Sequence, residues 1–142
     1  VVEGPVIIDI FPQSEASRYH GDMTRTVIVG EHEPAERMLA AVQLAHKECV
    51  AMCKPGTKVA DIHAHAVTVL EEEGFETDDE SGFIHALGHG VGLAIHEAPS
   101  VSPNDETVLE EGMVVTIEPG LYYDVGVRWE DIVLVGTTPR IL

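Results

Sequence analysis

The stretch "GMVVTIEPGLYYDVGVRWEDIVLVG", residues 112–136, alternates short apolar and β-branched runs with Pro, Gly and Asp. Such runs, bounded by turn-forming residues, are typical of β-strands. The pattern predicts two short strands over 112–123, interrupted by "EPG", and one further strand over 126–136. Because the connections between them are short, we expect these strands to be antiparallel.

The segments that precede this stretch complete the fold prediction. "GPVIIDIF" (4–11) and "DMTRTVIVG" (22–30) are predicted to form a pair of strands joined by the loop "PQSEASRYHG". Helical spacing of apolar residues, with Pro34 suited to a first turn, predicts a helix over 33–53 and a second helix over 58–74. A strand pair, two helices and several antiparallel strands together indicate an α+β fold without an internal domain boundary.

The charge balance excludes some classes of partner. The chain of 142 residues has 25 acidic and 8 basic residues, which gives a formal net charge of −17. Eight basic side chains cannot neutralise many phosphates, so nucleic acids and anionic membranes are disfavoured as partners. No apolar run approaches the ~20 residues that a membrane span requires.

Two cysteines and two histidines on the predicted helices are expected to have no role in a functional site. Cys49 and Cys53 lie one helical turn apart, and we expect two small buried apolar residues that imply no disulfide framework. His63 and His65 are two positions apart, so they do not face each other on a helix, and we expect them to face solvent.

Four acidic residues lie in or beside the apolar strands: Asp9, Asp22, Glu118 and Glu130. A buried carboxylate costs several kcal/mol unless it is paired or bound to a metal. Each acid alone has an ordinary explanation as a strand cap, an edge residue or a partner of Arg25 or Arg128. Four together would repel one another strongly. Two arginines would neutralise only half of that charge, whereas two divalent cations would neutralise it fully.

The glycine-rich stretch "IHALGHGVGLAIHEAP" (84–99) contains three of the eight histidines. It is either a flexible loop or a backbone that closes tightly around a ligand. Imidazole accompanies carboxylates in sites for borderline cations, and His89 has glycine on both sides. We therefore expect His89 to complete a metal site with the four acids. For His85 and His96 a hydrogen-bonded structural role is the alternative.

Four motifs in order, "GDMTRT", "GHGVGLAIHE", "EGMVVTIEPGLYY" and "VRWED", resemble the aminopeptidase P, prolidase and creatinase family. The resemblance spans roughly residues 6–136. It implies a partial pita-bread fold, with a curved and mainly antiparallel sheet backed by helices. The final "GVRWED" is similar to the proline-specific branch of the family. Residues 1–142 are then expected to form a single catalytic domain, the C-terminal part of a longer chain.

Carried over by motif, the resemblance implies five ligands for two divalent ions of Mn, Co or Zn. These are Asp9 for one ion, His89 and Glu118 for the other, and Asp22 and Glu130 as ligands of both. The gap between the first two acids is longer than is usual in the family, and we expect the insertion in the loop "PQSEASRYH", with the strand register intact. The family also has N-terminal helices and a substrate-contacting histidine that match nothing here.

The activity implied by the resemblance is hydrolysis of the peptide bond between an N-terminal residue and proline, by an aminopeptidase or a dipeptidase. Glu118 would take the proton from the attacking water. His85 and His96 would stabilise developing charge or transfer protons. Thr24 and Arg128 are expected to orient the ligands.

The expected partner is a peptide substrate with proline at its second position. The resemblance also leads us to expect a cytoplasmic protein that can form a homodimer. The alternative, from another functional class, is a non-catalytic pita-bread module that binds peptides or protein partners. Relatives of that kind have generally lost ligands, whereas all five ligand types are present in this sequence.

Overall fold

The computed structural model describes residues 3–142. Its elements are β1 Gly4–Ile10, β2 Met23–Val29, α1 Glu33–Met52, α2 Val59–Glu72, β3 Gly88–Gly90, β4 Glu97–Val101, β5 Val114–Ile117, β6 Gly120–Tyr122, β7 Gly126–Arg128, β8 Asp131–Leu134 and β9 Arg140–Ile141. This order confirms the predicted α+β class and both predicted helices. Within the described residues, no helix has the length and apolar character to cross a membrane.

The strands of the described residues pair in antiparallel fashion and form three sheets. β1 pairs with β2 without a register shift, so the predicted strand pair forms. A five-stranded sheet has the order β4-β3-β5-β8-β9, and β6 pairs with β7. An isolated bridge between Thr24 and Glu130 connects β2 to the start of β8. This bridge joins the first strand pair to the larger sheet.

The segment 126–136, predicted as one strand, forms two strands with different partners. β7 pairs with β6, β8 pairs with β5, and Trp129 and Glu130 lie at the break. The Glu130 N–H donates to the carbonyl oxygen of Thr24 at 3.0 Å. Side-chain alternation applies only within a continuous strand. The single-strand prediction was therefore wrong.

Strand β3 was not predicted, because its three residues are Gly-His-Gly. A Cβ atom on Gly88 would collide with the carbonyl oxygen of Thr116, and one on Gly90 would collide with that of Ala98. Glycine therefore lets β3 approach the backbones of β5 and β4. Within the stretch 84–99, the backbone thus packs closely at β3, as the second of the two alternatives requires.

The core lies between the two helices and the sheets. It includes Met38, Val42, Cys49, Cys53, Ile62, Leu70, Val115, Ile117, Leu121 and Val133. His32 caps α1 by accepting a hydrogen bond from the Ala35 N–H at 3.2 Å, and Pro34 lies in the first turn. Both cysteines are fully buried free thiols, as predicted. Burial raises the pKa of each thiol to about 12, so neither is a reactive thiolate.

The two histidines of α2 occupy different environments. His65 is partly exposed and pairs with Glu48 at 2.8 Å, as a solvent-facing residue does. His63 is buried, and its ring stacks on Phe83 with 5.2 Å between the ring centroids. The prediction that both face solvent was wrong for His63. Residues two positions apart on a helix point roughly 200° apart, so only one of them faces solvent.

Candidate metal centre

A cleft of about 180 Å³ lies where the first strand pair meets the five-stranded sheet. Its lining side chains are Asp9, Phe11, Asp22, His89, Ile95, His96, Glu118 and Glu130. All five residues predicted as metal ligands thus lie together, although they come from five separate segments of the chain. No lysine or arginine is among these described lining residues.

His89, on β3, turns one ring nitrogen towards two carboxylates. Its Nδ1 donates to the carbonyl oxygen of Gly90 at 2.9 Å, since a carbonyl can only accept. The neutral ring then carries its lone pair on Nε2, which lies 3.6 Å from Asp22 Oδ2 and 3.3 Å from Glu118 Oε1. Burial alone would lower the pKa of His89, but these carboxylates outweigh it and raise the pKa. A lone pair that faces two carboxylates requires a proton or a cation between them.

Glu130, just before β8, is the most deeply buried acid of the cleft, with 2% of its surface exposed. Burial, followed by the charge of Glu118, raises the pKa of Glu130 to about 7, although a hydrogen bond from Thr24 opposes this. Burial also raises the pKa of Asp22, despite the nearby His89. The fold therefore gathers four carboxylates with incomplete compensation. Asp9 pairs with Arg128, and Asp22 and Glu118 share His89. Glu130 has no cationic side chain in salt-bridge contact among the described residues.

Three groups form the tightest part of the site. Asp22, His89 and Glu130 each offer one ligand atom, and these atoms lie within 4.8 Å of one another. Glu118 adjoins them through His89, and Asp9 lies at the rim with 35% of its side chain exposed. Carboxylate oxygen and imidazole nitrogen suit Mn, Co and Zn ions. The donor set therefore fits a divalent cation.

Arg128 and Thr24 do not line the cleft, but they contact acids that do. Arg128 donates from one terminal nitrogen to Asp9 Oδ2 at 2.6 Å, and from the other to the Tyr122 hydroxyl at 3.1 Å. Its Nε donates to Thr24 Oγ1 at 3.3 Å, and that hydroxyl in turn donates to Glu130 Oε2 at 2.5 Å. Both residues thus touch predicted ligands. Tyr122, which lies in the "EPGLYY" motif, was not among the predicted site residues.

His96 lies beside the predicted ligand histidine. Its ring centroid is 4.3 Å from that of His89, with the two rings nearly perpendicular. The side chain lines the cleft and its residue is exposed to solvent. His96 is therefore accessible to a bound molecule.

His85 lies outside this cleft and lines a neighbouring pocket with Glu118, Tyr122 and Arg128. Its Nδ1 donates to the carbonyl oxygen of Ala86 at 2.7 Å. Its Nε2 is buried and has no hydrogen-bond partner among the described residues. Burial lowers the pKa of His85, which favours the neutral ring with an unprotonated Nε2. Glu118 lines both cavities and so lies between His85 and the cleft.

Asp131 follows Glu130 directly but does not line the cleft, and it was not among the predicted site residues. Its Oδ1 accepts a hydrogen bond from Arg25 at 2.6 Å, and its Oδ2 lies 3.2 Å from His46 Nε2. Burial alone would raise the pKa of Asp131, but His46 and Arg25 outweigh it and lower the pKa. No local pattern indicated this role, because the partners of Asp131 lie on β2 and α1.

A larger cavity, of about 680 Å³, lies elsewhere, between the start of α1, the end of α2 and the β6–β7 hairpin. Its lining acids are Glu71, Glu76, Asp78 and Asp124, which share the cavity with Arg37 and with apolar side chains. No group of metal-ligating side chains converges there among the described residues. Convergence of ligands, and not size, distinguishes the candidate site.

Comparison with known proteins identifies the family by sequence. Residues 2–137 match the model of metallopeptidase family M24. The Xaa-Pro dipeptidase of Pyrococcus furiosus is 45% identical over 122 residues, which cover 84% of this chain and 34% of that protein. The Xaa-Pro dipeptidase of Pyrococcus horikoshii is 43% identical, with 82% and 33% covered. The chain thus spans about a third of the length of these curated relatives.

Solved structures agree with this assignment. The prolidase from Pyrococcus horikoshii OT3 superposes with a TM-score of 0.89 at 40% identity, covering 98% of this chain and 40% of that one. The X-Pro aminopeptidase from Thermotoga maritima MSB8 gives 0.89 at 31% identity, covering 99% and 40%. These similarities confirm the predicted pita-bread fold. Since the family model also covers most of the sequence, the chain belongs to metallopeptidase family M24.

Proposed function

We propose that this chain carries the metal centre of a dinuclear-metal-dependent peptidase that cleaves the bond between an N-terminal residue and proline. The observation that carries the proposal is the convergence of four carboxylates and His89 in one cleft lined by no lysine or arginine. The names of the relatives, Xaa-Pro dipeptidase and X-Pro aminopeptidase, support the preference for proline.

The five residues have distinct proposed roles towards two divalent ions. Asp9 would hold one ion, His89 and Glu118 would hold the other, and Asp22 and Glu130 would serve both. Two such ions balance the charge of the four carboxylates, and Mn, Co and Zn all suit the donor set. When bound, the ions lower the pKa of a water molecule and polarise the carbonyl group of the substrate.

Proton handling falls to the side chains around Glu118. Its position between the cleft and the pocket of His85 suits it to take a proton from the attacking water and to deliver it to the proline nitrogen. The free Nε2 of His85 suits this ring to accept a proton or a hydrogen bond from the substrate. The exposed His96 is placed to stabilise charge that develops on the substrate oxygen.

Arg128 and Thr24 are proposed to keep the carboxylates in place. Arg128 holds Asp9 directly, and it reaches Glu130 through the Thr24 hydroxyl. Loss of such supporting contacts typically weakens metal binding by about 10–100-fold.

We also propose that residues 1–142 form one catalytic domain. The activity is that of an aminopeptidase or of a dipeptidase. The homodimer, the cytoplasmic location and the exclusion of nucleic acid and membrane also stay predictions. A non-catalytic binding module is the second function that the experiment below separates from the first.

The test compares the wild type with Glu130→Ala after reconstitution with Mn²⁺, Co²⁺ or Zn²⁺. Bound metal is measured by elemental analysis, and cleavage is measured on an Xaa-Pro dipeptide and on a longer peptide with proline at its second position. We expect two ions per wild-type chain and cleavage of at least one substrate, with both lost in Glu130→Ala. The preferred substrate length then distinguishes dipeptidase from aminopeptidase.

Glu106→Ala is the matched control, because it removes an equal charge from an exposed residue outside the cleft. It should retain wild-type metal content and cleavage. A wild type that takes up no divalent ion would overturn the dinuclear proposal. Two bound ions without cleavage would overturn the peptidase assignment for this chain and favour the binding module.

A further inference from the structure

Arg25, on β2, uses its guanidinium to connect two neighbouring backbone segments at the metal centre. One terminal nitrogen donates to the carbonyl oxygen of Thr24 at 2.9 Å and to that of Glu130 at 2.6 Å. The other donates to Asp131 Oδ1 at 2.6 Å. The guanidinium also lies over the Trp129 ring, 4.3 Å from its centroid. Arg25 therefore contacts both sides of the junction between β2 and β8.

This contact is anchored from the helix side of the sheet. His46, on α1, is buried, and its Nε2 lies 3.2 Å from the second carboxylate oxygen of Asp131. The contact is close but lacks hydrogen-bond geometry, and this Nε2 has no other partner among the described residues. Asp131 is buried as well, so its carboxylate joins a helix residue to the arginine of a strand. We call His46, Asp131 and Arg25 the anchoring triad.

The junction that the triad holds also fixes the Glu130 carboxylate. The Glu130 N–H donates to the Thr24 carbonyl oxygen, and the Thr24 hydroxyl donates to Glu130 Oε2. The pairing of these two residues is an isolated bridge, because the chain breaks between β7 and β8 at this point. A single bridge without flanking ladder bonds leaves the position of Glu130 dependent on other contacts.

We propose that Arg25 is a positioning residue, held by Asp131 and His46, which fixes the backbone of Thr24 and Glu130 so that Glu130 keeps its place beside Asp22 and His89. None of the three residues lines the cleft. Their side chains contact one another and the backbone carbonyls of Thr24 and Glu130, and not a ligand carboxylate. The part of this proposal that concerns metal affinity rests on the proposed function. The part that concerns the backbone junction does not.

The chemistry of arginine explains why this residue type is needed. The planar guanidinium presents several donors in a fixed fork, so it reaches two carbonyl oxygens and a carboxylate together. A lysine ammonium is a compact point charge and cannot reproduce that geometry. Arg25→Lys therefore retains the charge but loses the bridging contacts.

The first measurement needs no metal. Amide hydrogen exchange of metal-free protein is followed by NMR in the wild type, Arg25→Met and Arg25→Lys. We expect the Glu130 amide to exchange at least about tenfold faster in both variants, as the loss of charge-assisted hydrogen bonds implies. Core amides of α2 should keep their wild-type rates. Arg140→Met is the matched control, because Arg140 is an exposed arginine on β9 beside β8.

The second measurement is Co²⁺ affinity, from titration calorimetry and the absorption spectrum of the bound ion. We expect Arg25→Met and Arg25→Lys to bind about 10–100-fold more weakly, with an altered spectrum, and Arg140→Met to change by less than about twofold. His46→Gln retains a donor for Asp131 and should bind like the wild type. His46→Leu lacks that donor and should bind about tenfold more weakly.

The outcomes separate this proposal from the proposed function. A wild type that binds no Co²⁺ overturns the proposed function. The exchange rate of the Glu130 amide then tests the positioning role of the triad independently. Unchanged Glu130 exchange, or equal acceleration of all core amides, overturns the positioning role. If Arg25→Met does not fold, Arg25→Lys and the two His46 variants give the same decision.

Discussion

Glu130 and Asp131 are neighbours in the chain, and both are buried acids, yet the fold treats their charges in opposite ways. Glu130 faces other carboxylates, and burial together with Glu118 raises its pKa to about 7. Asp131 faces Arg25 and His46, which together outweigh burial and lower its pKa. Asp131 thus pairs with the cationic Arg25 within the protein, whereas no arginine or lysine of the described residues pairs with Glu130.

This difference separates an acid that holds the fold together from one that is available to a ligand. A buried charge is stable only when it is paired, protonated or bound to a cation. Asp131 is paired by residues of α1 and β2 and therefore needs nothing from outside the chain. Glu130 is left for an added cation. The presence or absence of a cationic partner within the protein thus distinguishes a structural acid from an acid available to a ligand.

The largest expected effect is that of removing Asp131. Asp131→Ala leaves the buried His46 and the partly buried Arg25 without their common partner. Loss of one member of a buried pair destabilises a protein by about 3–5 kcal/mol. We expect the free energy of unfolding, measured by urea denaturation at pH 7, to fall by that amount. A loss below about 1 kcal/mol would show that Asp131 is not the structural acid of the pair.

Glu130→Gln should raise the free energy of unfolding of the metal-free protein, whereas Asp131→Ala lowers it. A carboxyl whose pKa rises from 4.5 to about 7 on folding destabilises the folded state as the pH rises through that range. Glu130→Gln removes this penalty, so the variant should be more stable at pH 8 by up to about 3 kcal/mol. At pH 4 the variant and the wild type should be equally stable.

The measurement is urea denaturation of chelator-treated protein between pH 4 and pH 8. Asp131 provides the internal contrast, because its lowered pKa contributes stability that is present above the unfolded-state value and lost as the pH falls through the folded-state value. A Glu130→Gln variant with the same pH profile as the wild type would refute the assignment of the destabilising charge to Glu130.

A divalent cation should stabilise the wild type but not Glu130→Gln. An ion that binds only the folded state at 100 times its Kd adds about 2.7 kcal/mol to the free energy of unfolding. We expect Mn²⁺ to raise the Tm of the wild type at pH 8, and EDTA to reverse this. An equal rise in Glu130→Gln would place the ion outside the proposed centre.

The smallest change in stability is expected when an exposed acid, Glu106, is replaced. Glu106 pairs with Lys58 at 2.7 Å, but 72% and 48% of these side chains are exposed. Exposed ion pairs are screened by water and salt and contribute little to stability. Glu106→Gln should leave the Tm unchanged within error, with or without Mn²⁺. A measurable loss would show that short distance alone, without burial, determines the strength of a pair in this protein.

Much of the fold followed from local sequence features. Apolar spacing and Pro34 predicted both helices, and β-branched runs predicted β1, β2 and the strands around "EPG". Such signals depend only on residues close together in sequence. The acids in apolar strands, with His89, also named the residues that line the cleft. Their residue types were informative because carboxylates in strands are costly without a cation.

Other features depend on contacts between distant segments, which no local pattern contains. The break at Trp129 and Glu130 arises because β7 and β8 pair with different strands. The packing of α2 against the sheets likewise determines two further positions. It places His63 against Phe83 and His85 outside the cleft. The sequence determined by itself which residue types are present and which local elements they form. Only the tertiary structure decided that Asp131 meets Arg25 and His46 while Glu130 meets other acids, because distant segments supply those partners.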